Sequence, residues 1–188
     1  METDRLMKTR LERVAHALDA PGRVTGRIAL WTALVLVIVA ATNTIVRYVG
    51  TLLGQNLSSN RWIELQWYLF AVMILLSAAH GIQKDVHVRV DALYERLRPA
   101  RRAWINLAGW IFLFMPFMTW ALLSSYDMAA ESWLRREASS DPDGLLRYPL
   151  KMLIPAAFAL LVLQGLAAIL HCIAFLRKPP PPAGDAHV

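Results

Sequence analysis

Two histidines, one cysteine and one glutamate are the side chains that chemistry in this chain would have to use, and all four lie near the ends of long apolar runs. His80 and His171 fall at the same end of two such runs, and two facing imidazoles can ligate a haem iron inside a helical bundle. A bis-His membrane cytochrome b is therefore one reading. Against it, a redox bundle often needs two haems and a quinone pocket, while His16, His87 and His187 lie outside the runs. The plainer reading makes each histidine a polar cap at a helix end. Cys172 stands alone, so no disulfide can form within the chain and thiol–quinone exchange is excluded. Its apolar flanks suit packing. Glu64 is too close to the end of its run to act as the membrane-central carboxylate of a small exporter. The deeper polar groups are mild: Thr42, Asn43, Thr44, Ser77, Asn106 and Gln164. Such residues most often hydrogen-bond across helices, at about 0.6–2 kcal/mol each. No catalytic, metal or cofactor site is expected.

These side chains belong to four apolar runs, Ile28–Leu53, Trp62–His80, Ala103–Tyr126 and Pro149–Leu176. At 1.5 Å per residue each can cross a hydrocarbon core of about 30 Å. Backbone groups in lipid must be paired within their own segment, so the runs read as helices. The fold class is an all-α integral membrane protein with four transmembrane helices. The 188 residues suit one domain, and a hydrophobic content of 56% is high for a soluble one. A pI near 9.9 is shared with nucleic-acid binders, but the basic residues cluster before the first run, after the second and after the fourth. With both termini inside, the whole net charge of +6 falls on the cytoplasmic face, as the positive-inside rule requires. Basicity here signals topology and anionic lipid, with no nucleic acid.

Two amphipathic stretches flank the runs. In 1–27, a cytoplasmic N-terminal segment, Met7, Leu11, Val14 and Leu18 recur on one helical face, and Pro21-Gly22 is expected to end that helix. The long polar lead fits an uncleaved signal anchor better than a cleaved signal peptide. In Asp85–Arg98, Val86, Val90, Leu93 and Leu97 share one side, with Arg96 and Arg98 off it, and Pro99 follows. Both stretches read as interfacial helices on the inner leaflet, one before the first span and one between the second and third. The membrane domain is 28–176, and 177–188 is a Pro-rich cytoplasmic tail expected to be disordered. Pro116 is expected to kink the third span, whereas Pro155 sits in the first turns of the fourth.

The loop Asp127–Tyr148 mixes charges around Trp133, with Pro142-Asp143-Gly144 as a turn. Trp133 reads either as part of an aromatic belt with Trp62, Trp67 and Tyr148 or as an anchor for a partner. No internal repeat and no matched pair of broken helices is visible, which is the usual device for a substrate site in a lone transporter. The bundle reads as a scaffold that needs a larger partner.

Three stretches then carry a resemblance. They are Arg61-Trp62-Ile63-Glu64-Leu65-Gln66-Trp67-Tyr68-Leu69, Lys84-Asp85-Val86-His87-Val88-Arg89-Val90-Asp91, and Glu137-Ala138-Ser139-Ser140-Asp141-Pro142-Asp143-Gly144. The third is followed by Tyr148-Pro149-Leu150-Lys151, Ile154-Pro155 and Leu163-Gln164. In this order the chain resembles the small permease subunit of TRAP (tripartite ATP-independent periplasmic) transporters, from about Trp31 to Leu176. The resemblance implies a large permease subunit and a periplasmic substrate-binding protein as partners. It also implies sodium-coupled import of organic anions, usually carboxylates, across the bacterial inner membrane. The ion and substrate residues would belong to the large subunit, and none is transferred here. Glu64, Gln66, Asp85, His87, Asp91, Lys151, Pro155 and Gln164 would be structural motif residues, with Glu64 and Lys151 free to pair with each other or with the large subunit. Val86, Val90, Leu93 and Leu97 would anchor the interfacial helix in lipid, with Arg96, Arg98, Arg101 and Arg102 on headgroups. Glu131, Trp133, Arg135, Arg136 and Glu137 are candidates for docking the binding protein. An anchor for some other complex remains an alternative, beside the haem reading.

Overall fold

Long apolar runs without enough polar groups to face water yield long helices, and the computed structural model contains little else. It describes residues 2–55, 57–84 and 97–177, with side chains from residue 13 onward. Helix α1 spans Glu2–Leu52, α2 Asn60–Gln83, α3 Pro99–Leu134 and α4 Tyr148–Leu176. All four are long and apolar enough to cross a membrane, so the protein is an all-α, multi-pass membrane protein. Among the described residues the only extended pairing is a single bridge between Ala138 and Leu146.

The connections 53–59 and 135–147 share one end of the molecule, where Asn60 Nδ2, at the start of α2, donates to the Pro142 carbonyl at 3.1 Å. We term this the loop end; the other, where α2 and α4 finish, is the tail end. Helix α4 is the centre. A third of its most apolar window (33%) is buried, against 6% in each of the other three helices. Helices α1 and α2 pack on each other and on α4, while α3 lies along α4 on its own. The four spans therefore form a three-helix cluster with α3 alongside, rather than a closed square.

Small side chains make this packing possible. The buried apolar residues are mostly alanines, among them Ala29, Ala79, Ala121, Ala129, Ala157 and Ala167, and among the described residues no large side chain is fully buried. Lipid tails are as apolar as leucine, so helices in a membrane associate by close backbone approach and not by hydrophobic exclusion. Gly165 of α4 is one such site: a Cβ there would stand 2.7 Å from Cε1 of Phe114. Large apolar side chains instead face outward, such as Trp31, Phe112, Leu113 and Trp120.

One expectation about helix continuity is corrected. Pro21-Gly22 does not end a helix, because α1 runs unbroken through both. The carbonyls around the proline find side-chain donors: Gln83 Nε2 serves Asp19 at 3.3 Å and Arg23 Nη2 serves His16 at 3.4 Å. The third span meets Pro116 with a π-helical segment at Gly109–Phe114, in which the Met115 N–H reaches back to the Trp110 carbonyl. A wider turn just before a proline takes up the strain of its missing N–H and its crowding ring. Pro155 lies inside α4, buried.

The mild polar groups also behave differently from the sequence reading. Thr44 and Ser77 do not bridge helices; their hydroxyls donate to carbonyls of their own helices, Ala40 at 2.9 Å and Ile74 at 3.1 Å. A hydroxyl one turn from a carbonyl finds it without tertiary help. Asn43 and Gln164 do reach beyond their own helices.

Candidate functional site

At the loop end the 135–147 loop is held on α2 and α4 by a set of carboxylates. Helix α3 closes with the Arg136 N–H on the Trp133 carbonyl and the Glu137 N–H on the Ser132 carbonyl. That is a Schellman closure, with Arg136 in the left-handed region at φ 48° where glycine is the usual residue. The chain reverses through the turn at Asp141–Gly144, with Asp143 at φ 60°. The Glu64 carboxylate of α2 then accepts the Ser139 hydroxyl and, at 2.5 Å, the Leu145 N–H. Nearby, Arg61 donates to the Asp143 carbonyl at 2.9 Å.

Glu137 is the second fastening. It accepts from Lys151 Nζ at 2.5 Å and from the Ser132 hydroxyl at 2.8 Å, joining the end of α3 to the start of α4. Those two donors hold its carboxyl below its ordinary value of 4.5. A carboxylate stabilised in the folded state contributes fully above its ordinary pKa, and the contribution is lost as pH falls through the lowered value. Loop order at this end is thus expected to hold above pH 4.5 and to decay below it. Amide exchange of residues 138–146 followed down to pH 3 checks this; an unchanged pattern would refute it.

Glu64 and Lys151 do not pair. They line one groove of about 390 Å³ with Trp67, Tyr68 and Arg147, but Glu64 is spent on the loop and Lys151 on Glu137. Of the docking candidates, Glu137 faces inward. Arg135 pairs with Glu131 one turn back at 2.5 Å, both well exposed. Trp133 packs edge-on against Tyr148, ring centroids 4.9 Å apart, and remains half exposed. Exposed charge and an aromatic therefore coincide at the end of α3.

At the tail end lies a polar cluster that the sequence reading missed. Asp19 of α1, only 5% exposed, receives Gln164 Nε2 on Oδ1 at 2.6 Å and His171 Nε2 on Oδ2 at 3.0 Å. His80 Nδ1 donates to Gln83 Oε1 at 3.3 Å, and Gln83 in turn donates to the Asp19 carbonyl. Both histidines of the haem reading are thus engaged in hydrogen bonds around the cluster. Among the described residues no three His, Cys, Asp or Glu side chains gather as a metal-binding group. Gly22 and Gly26, one turn apart, bring α1 close enough for these bonds, since a Cβ on Gly26 would lie 2.5 Å from His80 Cγ. The signal was present in the sequence as an acid one turn before a G-x-x-x-G spacing.

Of the interfacial-helix residues, Asp85, Val86, His87, Val90, Asp91, Leu93 and Arg96 lie outside the described residues. Arg98 and Arg101 are exposed at the start of α3, and Arg102 Nε donates to the Leu97 carbonyl at 2.9 Å. Gln66 donates to the Trp62 carbonyl within its own helix.

The geometry is that of a membrane helix bundle with small-residue helix packing and two fastened ends, where Glu64, Glu137 and Asp19 are bonded within the chain. Residues 23–175 match the family described as "Tripartite ATP-independent periplasmic transporters, DctQ component", and the chain belongs to that family. It is a small permease subunit of a TRAP transporter, a family of transport components and not of enzymes. No curated protein and no solved structure matches the chain.

Proposed function

We propose that this subunit is the bracing part of a binding-protein-dependent secondary importer in the bacterial inner membrane, with both termini cytoplasmic. Membership of the family carries the reading. It is supported by the Glu64, Glu137 and Asp19 carboxylates, which find their donors within the chain, and by the broad apolar faces of α1 and α3. Such faces suit lipid and the surface of a larger membrane subunit. The large permease subunit would move the substrate, an organic anion of the carboxylate type, with sodium as coupling ion. The loop end then faces the periplasm, where Glu131, Trp133, Arg135 and Arg136 offer a contact for the binding protein. Arg98, Arg101 and Arg102 at the start of α3 would meet the headgroups of the inner leaflet.

One experiment tests both halves of this reading. The tagged chain is drawn from native membranes in mild detergent, and uptake is measured in vesicles at limiting binding protein. The parent chain is expected to bring down a large polytopic permease. Arg135→Glu with Arg136→Glu should retain the permease yet lower uptake about tenfold, the scale of a lost 1.4 kcal/mol contact. A chain that brings down no permease refutes the subunit role. Unchanged uptake refutes the docking role alone.

A further inference from the structure

Helix α1 continues through Pro21 and Gly22, the two residues least suited to a helix interior. Pro21 has no N–H for the Ala17 carbonyl, and its ring crowds the preceding turn. A helix in this state bends or opens unless something outside it holds both halves. The half after the proline is seated by Gly22 and Gly26 against Gln164 of α4 and His80 of α2. The half before it is held by side-chain bonds clustered in a single turn. Asp19 takes Gln164 at 2.6 Å, His171 at 3.0 Å and, on its carbonyl, Gln83 at 3.3 Å. His16 adds an edge-on ring contact with His171 at 5.6 Å, and Ala15 beside it is fully buried.

We propose that Asp19 is a latch on a hinge at Pro21–Gly22, holding the N-terminal arm of α1 in line with the first span through Gln164, His171 and Gln83. The arm carries Arg5, Lys8, Arg10 and Arg13, so releasing the latch swings four cations on the face of the membrane where α2 and α4 end. It also uncovers Gln164 and His171. Asp19 and His16 precede residue 23, where the family match begins, while the residues that grip them lie inside it. A buried carboxylate suits a latch because its bonds are charge-assisted and its site is costly to leave half-filled.

The full-length chain, with Cys172→Ala, is spin-labelled through Arg13→Cys and Arg177→Cys and placed in lipid nanodiscs. The parent is expected to give one narrow distance distribution. Asp19→Ala should lose it, giving a broad or double one. Adding Pro21→Ala restores the missing N–H and should bring the narrow distribution back without the latch. His171→Ala, at a position whose side chain is 42% exposed, supplies the same readout if Asp19→Ala does not fold. A narrow distribution in either single variant overturns the latch. A distribution that stays broad with Pro21→Ala overturns the hinge.

Discussion

Replacing Gly26 by leucine is expected to separate α1 from α2 and to cost about 1–3 kcal/mol, the usual range for overpacking a fitted site. A Cβ at Gly26 meets Cγ, Cδ2 and Cβ of His80 at 2.5, 2.8 and 2.9 Å. These atoms include the root of the imidazole, which cannot rotate away without moving the α2 backbone. The displacement would pass to Gly22, whose Cβ position is 2.9 Å from Gln164 Oε1, and so to the Asp19 bonds. Gly109 is the control, since a Cβ there meets nothing within 4 Å. SDS titration in mixed micelles should show an earlier unfolding midpoint for Gly26→Leu and none of this loss for Gly109→Ala. Equal midpoints for Gly26→Leu and the parent would show that α1 is not seated by the glycines.

The second large effect is expected at Gln164. Gln164→Leu keeps most of the volume but leaves Asp19 Oδ1 without its nearest donor, in a site where the carboxylate is only 5% exposed. An unsatisfied buried polar group costs about 1–3 kcal/mol, and more when it is charged. Removing both partners is a different matter: Asp19→Leu with Gln164→Leu should regain most of the loss, because neither member is then left unpaired. The same SDS titration, arranged as a double-mutant cycle, measures the coupling directly. Additive single and double effects would mean that the 2.6 Å bond contributes nothing of its own.

The spans were legible because each depends on a local property. Hydropathy over twenty or so residues foretold Trp62–His80 and Pro149–Leu176, and the helices occupy Asn60–Gln83 and Tyr148–Leu176. The Pro142-Asp143-Gly144 turn was legible for the same reason, since its residue types carry their own backbone preferences. The family resemblance, likewise read from ordered short motifs, agrees with the match over 23–175. Reading failed where a side chain had more than one possible partner. Glu64 and Lys151 were placed at one face correctly, yet each found a different partner, Ser139 with Leu145 for one and Glu137 for the other. Nothing in composition distinguishes those pairings from the direct ion pair.

Asp19 marks the boundary between the two kinds of information. By itself the sequence determined four helices long and apolar enough to span a membrane, because segment length and hydropathy act within one helix and need no neighbour. It also suggested a stop at Pro21-Gly22, since a proline judged alone breaks a helix. In the tertiary structure α1 instead continues, and Gln164, 145 positions away, stands within 2.6 Å of Asp19, two residues before the proline. Which carboxylate is buried, and which donor reaches it, follows from the register between helices. That register is set by where two glycines and a row of alanines let the backbones approach, a property of the assembled packing and of no single segment.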